Sequence, residues 1–347
     1  MRSPTPKEIP RKETRGDSTV KWFVFVAGVV LPLIVAGCLG DGPRMKEIEL
    51  TEAQKRFKTN TTFEDGVFSF EFTPENGATR TLDTRLHQNY STSYRLPPPV
   101  LPGFSSRAWQ LTDNADDGRT FAYALVSWNR DDPADYLSAG WWLHLPPDVS
   151  FRNRNEAETG VFMDGPELDL SKPPDLPVEG QAVYLGTTGG VYRYQQSDGE
   201  LEEYEYNAFI NLAADFSNET ISGCVGCIGD IETQRLYLYG ILGWRWRPPA
   251  VPPTDYQVHI GATPFNTDGT FEGMDVAVTH AERNVTESSG SWAGQFSNVP
   301  DADGNPRLIV GLNDVTFEEG DGASGNFIGI FQALSPGNQP PPESETR

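Results

Sequence analysis

The stretch from Gly180 to Leu334 limits the fold more than any other part of the chain. Short runs rich in Tyr, Phe, Val and Ile follow one another there, and no apolar positions keep a helical spacing for long. Ala182–Leu185 and Gly190–Tyr194 flank Thr187-Thr188, which reads as a turn; Tyr204–Phe216 and Arg307–Leu312 are two more runs of strand type. Asp-Gly, Asn-Glu and Gly-Gly pairs between the runs are the sequence form of hairpins. Glycines inside Gly290–Phe296 and Gly325–Phe331 let strands bend hard where a small barrel closes. The expectation is an all-β chain whose residues 180–335 form an antiparallel barrel of about eight strands, closed so that no edge is left exposed.

Upstream, Gly66–Phe72, Ala78–Leu86, Arg107–Leu111, Thr120–Trp128 and Gly140–Leu145 also read as strands, with a brief helix starting near Pro133. They define a small, mostly β domain over 60–170. Residues 171–179, with Pro173, Pro174 and Pro177, are the linker into the barrel. The prolines of Arg247–Pro253 place a long surface loop inside the barrel domain, and 336–347 reads as a disordered tail.

The start of the chain concerns location rather than fold. Residues 1–21 carry six basic side chains, and Trp22–Ala36 is an apolar run of 15 residues, short for a membrane span. Together with the small residues before Cys38, this describes a secretory signal over 1–37. Val35-Ala36-Gly37-Cys38 resembles the lipobox of bacterial lipoproteins, which implies cleavage before Cys38 and lipidation of that cysteine. Lipid chains at about 0.8 kcal/mol per buried methylene would then hold the protein on a bilayer. Residues 38–59 read as a flexible tether. An uncleaved anchor is the alternative, and both place the remainder outside the cytoplasm. Loss of 1–37 removes six basic and three acidic residues and takes the net charge from −22 to −25. So acidic a chain disfavours nucleic acid and anionic lipid as direct partners and favours cationic ones.

Few residues carry site chemistry. Cys224 and Cys227, in Ser222–Gly229, read as a disulfide closing a very small ring in an exported protein. A redox role would want a helix N-terminus to acidify a thiol, and a zinc site would want two further ligands; the local sequence supplies neither. His87, His144, His259 and His280 are dispersed; His259 and His280 sit in strand-like runs where one of them could face a ligand such as haem, although a hydrogen-bonded or exposed histidine is the commoner use. Asp301–Asn305 and Asn266–Gly269 look superficially like calcium loops; the first lacks the closing glutamate and sits between two strands, so a hairpin turn explains it. No nucleophile elbow, phosphate loop or dinucleotide fingerprint is present, so no catalytic residue, metal or cofactor is expected. Tyr239, Trp244, Arg245 and Trp246 gather the side chains that anchor interfaces, and are candidates either for partner contact or for packing under their own loop. The Trp141-Trp142 pair should place one ring inward and one outward.

Three blocks carry a family resemblance. Ala213–Gly223, the Gly-x-x-Gly-x-Phe-type segments near the C-terminus, and Trp128–Trp142 resemble segments of transferrin-binding protein B and the lipoproteins like it. The resemblance implies one lobe, a barrel with a smaller handle domain, displayed on a bacterial outer membrane. It further implies a solute or protein ligand, in iron, haem or nutrient acquisition or the binding of a host factor, and a surface-lipoprotein assembly translocon as a partner. Transferrin itself is not implied, because the transferrin receptors carry two lobes and this chain has room for one. A structural envelope lipoprotein that binds no small ligand is the alternative.

Overall fold

The computed structural model describes residues 60–74, 78–88, 104–147, 157–165, 173–234 and 248–335. Every regular element among them is a β-strand, and every pairing is antiparallel. The all-β expectation holds. The brief helix near Pro133 does not form: the chain turns there and enters a strand at Tyr136.

A first sheet joins β1 (Thr61–Glu64), β2 (Val67–Phe72) and β3 (Arg80–Asp83). Its first hairpin turns on Asp65-Gly66, both with positive φ, the backbone that matches the twist of the flanking strands. A second sheet runs in chain order through β4 (Phe104–Ala115), β5 (Gly118–Asn129), β6 (Tyr136–Leu145) and β7 (Glu158–Asp164). The third holds ten strands: β8 (Gln181–Gln195), β9 (Leu201–Asp215), β10 (Thr220–Val225), β11 (Glu232–Gln234), β12 (Tyr256–Pro264), β13 (Thr270–Gly273), β14 (Val276–His280), β15 (Val285–Phe296), β16 (Leu308–Glu319) and β17 (Ser324–Leu334). Their order is β13-β15-β16-β17-β8-β9-β10-β12-β14, with β11 on the same edge of β9 as β10, further along.

This large sheet curls until its short end strands approach, but its ladders do not close into a barrel. The seam is made by single bonds. The Val278 N–H donates to Ser288 Oγ at 3.1 Å, Trp292 Nε1 donates to Thr263 Oγ1 at 3.0 Å, and Phe265 and Phe271 form an isolated bridge. The strands at the seam, β13 and β14, are too short to pair along a full edge, so side chains cover what a ladder would otherwise have satisfied.

Inside the curl lies one aromatic core. Tyr184, Tyr192, Tyr194, Tyr206, Tyr256 and Trp292 are all fully buried there. Rings meet at favourable tilts and offsets, as for Tyr192 on Phe327 at 5.0 Å and Tyr256 on Phe317 at 4.7 Å. Each such pair contributes about 0.5–1.5 kcal/mol beyond its buried area.

One expected turn is absent. Thr187-Thr188 lies within the unbroken strand β8, which pairs along its whole length with β9 and from Leu185 onward with β17. Thr188 is buried and its hydroxyl donates to the Ile330 carbonyl at 2.9 Å. The neighbouring glycines are there for closeness instead: a Cβ at Gly190 would meet the backbone of Ile328 and Gly329. Close backbone approach, not a reversal of direction, explains the pattern.

The second sheet is covered on both faces. Phe121, Tyr123, Trp141 and Val161 pack with Val191, Val310, Leu312 and Ile330 on the outside of the curled sheet. From its other face Trp109, Ala122, Ala124 and Phe162 meet Phe63, Phe68, Phe70 and Leu82 of the first sheet. Hence both members of the Trp141-Trp142 pair are occupied, Trp141 toward the curled sheet and Trp142 against Phe72 at 4.6 Å. The prolines at 173–177 run without regular structure while Leu176 packs on the curled sheet's core.

Candidate functional site

Of the sequence-derived site residues, Cys38, Tyr239, Trp244, Arg245 and Trp246 lie outside the described residues. Cys224 and Cys227 lie within them, at the corner where β10 gives way to the segment leading to β11. They are bonded to each other, with Cα atoms 5.8 Å apart. The corner has its own support. Gly226 has φ +77, where a side chain is disfavoured, and its N–H donates to the Phe209 carbonyl at 3.1 Å.

Register adds a histidine that sequence spacing did not. Cys224 stands opposite His259 of β12 and opposite Asn211 of β9. Alternation puts all three on the outer face, because their neighbours Ile210, Leu212, Val258 and Ile260 point into the core. One ligand-type atom from each of Cys224, Cys227 and His259 lies within 4.8 Å of the others. His259 Nε2 is 3.2 Å from Thr279 Oγ1. Asn211 Oδ1 is buried and finds no hydrogen-bond partner among the described residues. Cys224 is buried, His259 half-buried and Cys227 exposed, so the group sits at the surface of the sheet. Cys224 and His259 are 35 positions apart in sequence, and only strand pairing brings them together. Beside this corner Phe209 and Ile228 remain 55% and 43% exposed, and Val183 on β8 is 43% exposed.

His280 belongs to a different cluster, inside one end of the curl. Arg283 Nε donates to both carboxylate oxygens of the buried Glu319, at 2.8 and 3.0 Å. Tyr194 donates to the same carboxylate at 2.8 Å, Tyr256 is bonded to it as well, and Arg283 Nη2 donates to Tyr194 Oη at 2.6 Å. Burial and the adjacent Glu319 push the Tyr194 hydroxyl up to about 12. Tyr256 is raised for the same reasons. Burial opposes the charge on Arg283, but its hydrogen bond to Glu319 prevails and holds the guanidinium protonated. Burial holds His280 below the usual imidazole range, and its ring stands edge-on to Tyr256 at 4.4 Å. The arrangement caps the core with a satisfied charge pair; it presents no nucleophile beside a base.

The apparent calcium loops are turns. Asp301 Oδ1 accepts from the N–H groups of Asp303 and Asn305, and Asp268 Oδ1 accepts from Thr270, which uses these carboxylates on their own backbone. An open groove of about 390 Å³ lies at the margin of β8, β15, β16 and β17, lined by polar residues such as Arg193, Gln195, Ser289, Thr316 and Asn326. Arg193 is already engaged, with Glu203 at 2.6 Å and the Ala157 carbonyl at 2.8 Å.

No family model matches the chain, and no curated protein matches it in sequence. Among solved structures, one provisionally described as an outer membrane protein from Bacteroides fragilis aligns with 82% of this chain and 100% of its own, at 12% identity and a TM-score of 0.22.

Proposed function

We propose that this chain is a non-catalytic lipoprotein of the bacterial outer membrane, held through Cys38, that binds a protein ligand on the outside of its curled sheet. The observation that carries the reading is how the two faces of that sheet are used. Its interior is filled by Tyr184, Tyr192, Tyr194, Tyr206, Tyr256 and Trp292. A small solute is usually held in a concave, mainly apolar pocket, which a filled interior does not offer. Part of the outer face, at Val191, Val310, Leu312 and Ile330, is covered by the four-stranded sheet. Val183, Phe209 and Ile228 lie on an arc where those side chains remain exposed. A net charge of −22, or −25 once residues 1–37 are removed, favours a ligand with a basic surface.

A curled sheet flanked by a smaller one supports the likeness to the barrel-and-handle lobe of transferrin-binding protein B. From that likeness come the roles in iron, haem or nutrient acquisition or host-factor binding, and the surface-lipoprotein assembly translocon as the exporting partner. Protease shaving of intact cells tests the reading, with Cys38→Ala as the anchoring control. Membrane retention that depends on Cys38, with loss of the folded region on shaving, is expected. Protection of that region in cells with an intact outer membrane, with only envelope proteins co-purifying, would replace ligand capture by a structural role in the envelope.

A further inference from the structure

Two sulfurs and an imidazole that share one sheet face within 4.8 Å are the donor set of a soft metal site. In the structure the sulfurs are bonded to each other. We propose that reduction of the Cys224–Cys227 bond converts this corner into a binding site for a soft d10 cation of the zinc type, with Cys224 Sγ, Cys227 Sγ and a ring nitrogen of His259 as ligands. This inference is independent of the protein-ligand reading.

A dithiol reductant gives two electrons and two protons, becomes a disulfide itself, and leaves Cys224 and Cys227 as thiols. Zn²⁺ then displaces both thiol protons as two Zn–S bonds form, and the neutral imidazole donates a lone pair. Two thiolates cancel the charge of the ion, so a half-buried neutral site results.

Three features prepare the corner for this without the S–S bond. Gly226, at φ +77 and hydrogen-bonded to Phe209, bends the chain so that both cysteines face one side. Cys224 and His259 are locked opposite each other by the β10–β12 ladder. Thr279 Oγ1 sits 3.2 Å from His259 Nε2 and orients the ring. Asn211 stands opposite Cys224 on β9, and its buried Oδ1 has no hydrogen-bond partner among the described residues. That oxygen can ligate directly or accept a hydrogen bond from a metal-bound water.

The test is zinc titration of the purified protein against a chromophoric chelator, with and without prior reduction by a phosphine. One equivalent should bind to the reduced protein at least about 100-fold more tightly than to the oxidised protein. His259→Ala should lose at least about tenfold in affinity, Thr279→Val should lose about tenfold, and His280→Ala should lose none. Cobalt(II) should give the intense visible bands of a tetrahedral thiolate site in the reduced protein only. Melting curves of the oxidised variants report whether they fold, and His259→Gln, of similar bulk, serves if His259→Ala does not. Equal zinc affinity of the oxidised and reduced forms, or undiminished affinity in a folded His259 variant, would overturn the proposal.

Discussion

Cys224 of β10 and His259 of β12 face each other across an antiparallel pair, on the outside of a sheet whose inside is closed with aromatic rings. One strand further, Asn211 of β9 completes a row of three polar side chains on that face. The row is held by backbone ladders and therefore does not depend on the Cys224–Cys227 bond.

Replacing both cysteines by serine should accordingly cost little. For so short a ring the chain-entropy contribution is about 2 kcal/mol. Thermal melts should show a shift of a few degrees with unchanged far-ultraviolet circular dichroism. A loss beyond about 4 kcal/mol would mean that the corner collapses without its cross-link.

At the end of the curl, Glu319 is 3% exposed at its side chain and Arg283 is 28% exposed. Arg283→Ala would leave a buried carboxylate with only tyrosine hydroxyls, at a cost on the order of 3 kcal/mol or more. Glu319→Ala should cost less, because the more exposed guanidinium can turn to water. The double replacement Arg283→Met with Glu319→Leu should cost less than Arg283→Ala alone, as read from denaturant midpoints. Additive losses would contradict the pair's coupling.

Gly190→Ala forces a Cβ onto the backbone of Ile328 and Gly329 and should destabilise by about 1–3 kcal/mol or more. Gly199→Ala places the same methyl in open space at φ +91 and should cost about 1 kcal/mol from backbone strain alone. Equal effects in urea unfolding would argue against close packing of β8 on β17.

Stability should fall as pH drops from about 7 toward 5. His144 is buried, bonded through Nδ1 to Thr120 Oγ1 at 3.0 Å, and burial and then Arg80 hold its pKa below the usual imidazole value. His280 is depressed mainly by burial too. A base whose folded pKa is lowered takes its proton first in the unfolded chain. Its contribution is therefore complete above an unfolded pKa of about 6.5 and declines as pH falls toward the folded value. Unfolding midpoints at the two ends of that range should differ less in His144→Gln than in the unaltered protein.

The strands were legible because their apolar and turn residues carry a period of two. Tyr204–Phe216 and Gly325–Phe331 correspond closely to β9 and β17. Thr187-Thr188 reads as a turn in sequence because glycine serves two ends, reversal of the chain and close approach of strands, and flanking residues alone do not separate them. Closure as a barrel was not legible either: whether edge strands meet in a ladder depends on the lengths of β13 and β14, which the sequence leaves ambiguous among Gly and Asp residues. The disulfide partners were legible from spacing, whereas His259 was not. Its distance from the cysteines in sequence carries no signal until the β10–β12 register is known.

Ligand binding on the exposed arc of the curled sheet is open to direct test. The direct measurement is retention of protein from growth medium or host fluid by the immobilised chain, compared with its Phe209→Asp, Ile228→Asp double variant, across a salt series. A basic protein should be retained at low salt by the unaltered chain, released as salt rises, and lost from the folded double variant. Equal retention by both chains, or no specific retention by either, would contradict it.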